Sequence, residues 1–372
     1  MAQFNGQLRS NEIFSALYNM IISQEVFADN LGEHQTLVDK ARVDGGLYGD
    51  TKLFYSTDVL KSAPWGNDAE AANLLALHRP PAPKCQAIHL DVFRQICLTV
   101  DNYLSKRAWA DEGAFSSFNG VMLGWMRETK RVYDGTLYNV FIGTTVSPKA
   151  KQTREIPVIG LTDAKEEAMV IAQGLADLLV EMGDYSRDFN DNGFLRSYAK
   201  EGIKVVWNSK FVNKIRKVDL PTIFHKDGLV DKFEEEIMPS RYFGRAVVES
   251  DIGAGKVIGA DGAYDSTKGT LRAAKEFDYN DVHYFPGDAL ATSGTYVAVV
   301  GGLEISQVYL EDASVICKVL VKLPPYMSAF EVGTSFFNPK SLTENHYLTF
   351  GHNTIEYLEN YPFITVKAVA AE

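Results

Sequence analysis

An α+β fold is expected for this chain on three observations. Helical periodicity is concentrated in the middle of the sequence, and strand-like runs dominate toward the end. Nowhere do strands and helices alternate in the regular manner of a parallel βαβ sheet. The longest periodic stretch, Asp111 to Gly143, sets the scale. Phe118, Met122, Trp125, Thr129, Val132, Tyr133, Thr136 and Val140 recur three or four apart on one stripe, with Arg127, Lys130, Arg131 and Asp134 on the opposite side. The stripe stays in phase across Asp134-Gly135, so one helix about 45 Å long is expected over 111–143. An ordinary core helix broken at Gly135 is the alternative.

The elements follow in order. Ser10 to Ile22 has the spacing of a short helix, with Ser10 as its cap. The polar, glycine-ending remainder of residues 1–45 reads as extended. Lys52 to Val59 and Gln86 to Thr99 are strand-like and flank a proline-rich, partly apolar tip, which together make a projecting hairpin. Trp65, Leu74, Leu75 and Leu77, with Arg79 beside them, are hard to bury within such a tip. They are the candidate inter-subunit contacts; a tip folded back on its own domain is the alternative.

Arg154 to Leu161 reads as a strand. Asp163 to Met182 is a second helix, with Asp163 and Glu166 at capping-box spacing and Ile171, Leu175, Leu178, Leu179 and Met182 on its buried face. Ile203 to Trp207 is a short buried strand. Ser209 opens a brief helix that Asp219-Leu220-Pro221 stops. From Ser240 the chain is rich in glycine and turns. Thr295–Val300, Ile305–Leu310, Val315–Lys322 and Phe363–Val369 are strands.

Composition narrows the function classes. A chain of 372 residues exceeds what one compact core usually holds, so two or three structural units are expected. Hydrophobic residues at 46% and charged residues at 23% are ordinary for a globular protein, and no run approaches a membrane span. The start, MAQFNGQLRSNEIF, carries no secretory pattern. A net charge of −11 argues against tight binding to nucleic-acid phosphates. Cys85, Cys97 and Cys317, odd in number and without ligand spacing, read as free thiols in a reducing compartment.

The chemistry-bearing motifs fail one by one. Around Gly253-Ala254-Gly255-Lys256-Val257 a phosphate loop would need glycine at Ser250 and a hydroxyl at Val257, and a dinucleotide fingerprint would need glycine at Ile258. The seven histidines form no metal-binding pair, and no nucleophile elbow or EF-hand loop is present. The acidic run Asp231 to Glu236 reads as a solvated helix face. No catalytic, cofactor-binding or metal residue is therefore expected, and no cofactor.

The order of elements carries a resemblance. Gln86 to Gly143 runs a return strand into the long helix, and Gly202 to Gly244 reads strand, short helix, loop and restoring strand. Asn345 to Ala368 reads as a closing pair of strands with a proline just before the last. In this order the chain resembles the major capsid protein of tailed bacteriophages, most like those of short-tailed phages. The resemblance implies an α+β capsid fold: an N-terminal arm (1–45), an extended two-stranded loop (46–98), a peripheral domain (99–160) with spine helix 111–143, an axial domain (161–324) and closing strands returning to the peripheral domain (325–372).

It further implies pentamers and hexamers of a closed icosahedral shell, a separate scaffolding protein and portal, DNA enclosed without tight binding, no membrane, and a place in the virion after assembly in the host cytoplasm. Crosslinking through Lys52, Lys61 or Lys84 and Asn338 has no support in the sequence. An encapsulin-like compartment, a soluble α+β enzyme and a ring-forming tail or connector protein are the competing readings.

Overall fold

A computed structural model describes residues 36–45, 51–62, 77, 79–101, 112–212, 234–248, 262–265, 269–279, 281–291, 296–299 and 305–371. The expected helix at 10–22, the glycine-rich segment at 253–257 and most of the helix expected after Ser209 lie outside these residues. The described elements begin with α1 (Leu37–Ala41), β1 (Arg42–Asp44), β2 (Thr51–Ser56), β3 (Lys84–Asp101), α2 (Glu112–Thr144), β4 (Thr153–Ile159), α3 (Ala164–Gly183), β5 (Lys204–Asn208) and β6 (Glu234–Met238). Short strands follow: β7 (Gly244–Ala246), β8 (Gly262–Asp265), β9 (Leu271–Ala273), β10 (Phe277–Tyr279), β11 (Val282–Tyr284), β12 (Ala289–Ala291), β13 (Tyr296–Val299) and β14 (Val308–Glu311). The last are β15 (Val315–Leu320), β16 (Tyr326–Asn338), β17 (Thr343–Asn353) and β18 (Phe363–Ala370).

Two five-stranded sheets organise these elements. The first has the order β1-β16-β17-β3-β2, and the second β4-β18-β15-β5-β6. A four-stranded sheet, β12-β9-β14-β7, lies in the glycine- and turn-rich region. In the second sheet the three central strands are buried on both faces, which is why Val315–Leu320 and Phe363–Val369 are mostly apolar, broken only by Lys318, Thr365 and Lys367. Helix α3 covers one face. Its Ile171, Leu175, Leu178 and Leu179 pack with Cys317, Val319, Ile364 and Val366. The C-terminal half of α2 covers the other, through Tyr138 and Ile142 against Val206, Leu320 and Phe363. Each fully buried aliphatic side chain here contributes about 1.5–3 kcal/mol.

Helix α3 keeps the register expected from its apolar stripe, and Ile171, Leu175, Leu178, Leu179 and Met182 are all buried. Asp163 caps it by accepting from the Lys165 N–H; Glu166 forms no reciprocal bond among those described. Helix α2 runs unbroken for 33 residues, about 50 Å, straight through Gly135. Gly135 is buried beneath α1, with the Thr36 methyl 3.7 Å from where a Cβ would stand. Tertiary contact there outweighs the roughly 1 kcal/mol that glycine costs a helix. At Gly143 a Cβ would overlap the Tyr242 carbonyl, so only glycine lets the helix cross the turn at 240–242.

Four expectations need correction. The buried face of α2 follows the apolar stripe only in part: Tyr133 and Val140 are buried, but so are Lys130 and Asp134, assigned to the outside, and Val132 is exposed. The acidic run is no helix face among the described residues, because Glu234–Met238 form a strand parallel to β5. The run stays largely solvated, and two of its carboxylates also pair with lysines: Lys204 with Glu234, and Lys40 with both Glu234 and Glu236. Residues 305–307 make a 3-10 turn before the strand begins at Val308. Finally, the closing strands do not pair with each other. Strand β17 joins β3 and β16, whereas β18 runs between β15 and β4.

Candidate assembly surfaces

The hairpin expected at 46–98 is present at its base. Strand β2 pairs antiparallel with the start of β3, from Thr51 opposite His89 to Ser56 opposite Lys84. Beyond residue 90, β3 leaves the hairpin and pairs with β17 for eleven residues, so one 18-residue strand belongs to hairpin and sheet alike. A polar latch fixes the hairpin to the loop that follows α3. Asp58 accepts from the Leu195 N–H at 3.0 Å and from Arg187 at 2.6 Å, and Arg196 donates to the Thr57 carbonyl at 2.5 Å. The Leu195 N–H first, and then Arg187, hold the Asp58 carboxyl down at about 2.

Of the five tip residues singled out from the sequence, Trp65, Leu74 and Leu75 lie outside the described residues. Leu77 is 83% exposed, and Arg79 is exposed as well. Leu53, Tyr55, Val59 and Leu60 add further exposed apolar side chains along the hairpin.

A second exposed surface was not singled out from the sequence. Strand β16 is an edge strand. Among the described residues β1 covers it only at Tyr326–Ser328, and residues 331–337 are exposed. Phe336 is 62% exposed, and Val332, Phe337 and Leu342 are exposed with it. On the outer face of the sheet, Phe336 lies level with Asn345 and Thr99, and Val332 with Thr349 and Gln95. Thr99 donates to Asn345 at 2.7 Å, and Gln95 to Thr349 at 2.9 Å, which ties the strands together across that face. A groove of about 530 Å³ runs between this edge and α2, bordered by Met126, Arg127, Glu331 and His346. The available signal was the alternation of Val332, Thr334 and Phe336 before the turn at Pro339-Lys340.

Beneath these surfaces a buried charge cluster locks α1 and β1 to α2. Asp134, 0% exposed, accepts from Arg42 at 3.1 Å, Lys130 at 3.0 Å and the Tyr326 hydroxyl at 2.7 Å. Burial, and next the Asp134 carboxylate, push the Tyr326 hydroxyl far up, so it remains a donor. Nearby, the His352 ring is buried between Tyr133 and Tyr326. Its Nδ1 faces the Asn353 carbonyl, which can only accept, so Nε2 is left to accept from the Tyr133 hydroxyl at 2.8 Å. Burial lowers the pKa of this histidine.

Among the described residues no group of three or more histidine, cysteine or acidic side chains is placed to hold a metal ion, and no helix is long and apolar enough to cross a membrane. What the arrangement offers is area, in the form of a projecting hairpin and a bare sheet edge.

No protein-family model matches the chain, and no curated protein matches it in sequence. Solved structures do. A chain from the capsid structure of Staphylococcus phage Andhra superposes with a TM-score of 0.57 at 8% identity, covering 90% of this chain and 84% of that one. A chain from the structure of head fiber and inner core protein gp22 of native bacteriophage P68 gives 0.54 at 10% identity, covering 87% and 83%. The chain therefore has the tailed-phage capsid fold that its order of elements resembles.

Proposed function

We propose that this chain is a major capsid protein whose copies self-assemble into the icosahedral shell around a phage genome. The observation that carries the reading is the shared capsid fold over nine-tenths of the chain. Surfaces of the right kind support it: an exposed hairpin and a sheet edge with exposed apolar side chains among the described residues. A closed shell needs head-to-tail contacts, each of roughly 2,000 Å² or more, and projecting parts supply that area from a small body. The hairpin, from about 46 to 98, lies over a neighbouring subunit in this reading, with Trp65, Leu74, Leu75, Leu77 and Arg79 at the contact and residues 1–45 bracing it. Residues 99–160, with α2, and the closing strands of 325–372 form the peripheral domain, and residues 161–324 form the axial domain, which gathers at the centres of pentamers and hexamers.

The role is structural, without a catalytic site. A separate scaffolding protein and portal accompany assembly in the host cytoplasm, and the net charge of −11 keeps the wall from gripping the enclosed DNA. In this reading the protein is most like the major capsid proteins of short-tailed phages.

Electron microscopy of the overexpressed protein, with and without a scaffolding protein encoded nearby, tests the proposal. Closed angular shells tens of nanometres across are expected; small monodisperse particles under both conditions overturn it, and shells filled with protein cargo instead of DNA point to a compartment. Replacing Trp65 and Leu77 together by serine is expected to leave folded, soluble subunits that no longer close into shells. Unchanged particle yield removes the hairpin from the contact.

A further inference from the structure

The second sheet contains a charge that the assembly reading does not use. Lys318 sits on β15, the central strand, and is 0% exposed. Its ammonium donates to the Thr145 carbonyl at 2.7 Å and to the Thr365 hydroxyl at 2.8 Å, and lies over the Phe363 ring. Among the described residues no carboxylate forms an ion pair with it. The charged groups that act on it are Lys367 and Asp312, which pair with each other at 3.7 Å; the neighbouring Cys317 is buried, and burial keeps its thiol protonated. On this face α2 and β5 bring Tyr138, whose hydroxyl donates to the Pro324 carbonyl at 2.8 Å, and the apolar Ile142 and Val206.

Thr145 directly follows α2, whose last turn carries no basic residue. The negative end of a 33-residue helix dipole is therefore met by a lysine from the sheet beneath it, 173 residues further along the chain. A neutral amine satisfies the same two acceptors with its two N–H groups. The ammonium has a third N–H, and burial with only two neutral oxygens is unfavourable for its charge.

We propose that Lys318 is a proton-controlled clamp between the sheet and the C-terminal end of α2: uncharged it holds the helix end down, and proton uptake favours a state in which the end has lifted and water reaches the ammonium. Burial first, and then Lys367, bring this lysine down from its usual range to about 7. The sign follows. A lysine whose value is lowered in the closed state stabilises that state fully only above the ordinary lysine range. Between that range and about pH 7, each unit fall in pH raises the opening equilibrium about tenfold. Below about pH 7 the effect levels off.

The full-length subunit tests this without any assembled particle, so the outcome is separate from that of the shell. Urea unfolding of the wild type and Lys318→Met is compared from pH 9.5 to 6.5. The wild type is expected to lose close to tenfold in folding constant per pH unit relative to the variant. Parallel curves overturn the clamp. If the variant does not fold, carbon-13 labelled lysine in the wild type gives the same answer: one side chain titrating near pH 7 is expected, and titration of every lysine above pH 10 overturns the proposal.

Discussion

The two five-stranded sheets of this molecule solve the same packing problem to different degrees. In the second sheet, α3 and the end of α2 cover both faces, and the central strands β18, β15 and β5 hold almost nothing but buried residues. The first sheet contains the longest strands, yet among the described residues it is covered on one face only, and its β16 edge is exposed over residues 331–337. The second sheet is a finished core. The first is half of one, with threonine and asparagine bonds where an opposing layer would be. An unpaired edge with exposed aromatics is a hazard for a free monomer, and soluble proteins usually blunt such edges with lysine, proline or a bulge. Here the only irregularity in the pairing of β16 with β17 falls at its base, between Ser328 and Glu331. The difference puts the closed apolar core in one sheet and the exposed apolar edge in the other.

Three substitutions sharpen this contrast. The largest effect is expected at the joint between α2 and the first sheet. Asp134→Ala leaves Lys130 buried, with the Asp134 contact gone and only Glu331 at 3.5 Å, and should lower unfolding free energy by about 3–5 kcal/mol in chemical denaturation; a loss below 1 kcal/mol means that water reaches the cluster. Next comes Ile364→Ala in the finished core, where the side chain is fully buried. A loss of about 2–5 kcal/mol is expected, with the value set by how far the cavity collapses. The smallest effect on the isolated subunit is Phe336→Ser, within about 0.5 kcal/mol because the ring touches mainly solvent. The same change should reduce particle yield in sedimentation. A large loss of subunit stability from Phe336→Ser breaks the comparison, since the edge would then belong to the monomer's own core.

How much of this was legible in the sequence depends on whether burial was local and apolar. Helix α3 was readable residue by residue because Ile171, Leu175, Leu178, Leu179 and Met182 meet the sheet through a plain hydrophobic stripe. Helix α2 was readable in extent and only partly in orientation. Its buried face includes Lys130 and Asp134, whose partners Arg42 and Tyr326 lie 92 and 192 residues from Asp134, and no window of periodicity reports such pairing. Glu234 to Glu236 misled for the same reason, since their strand is set by pairing with β5 and by Lys40 and Lys204. The base of the hairpin was legible from β-propensity on either side of a proline-rich tip. The β16 edge was overlooked because alternating Val332, Thr334 and Phe336 look like an ordinary half-buried strand, and nothing local says that the other half stays bare.

The make-up of the first sheet also governs when it can form. Its strands β1, β2 and β3 come from the first 101 residues, and β16 and β17 from residue 326 onward. During synthesis β3 is complete about 240 residues before β17 begins. At ribosomal speeds of roughly 5–20 residues per second, β3 waits on the order of ten to fifty seconds for its partner. Throughout that interval the part of β3 that β17 takes, residues 90–101, has no native strand partner, while residues 84–89 can already pair with β2. A chain that ends before residue 343 therefore leaves eleven residues of its longest strand without their partners.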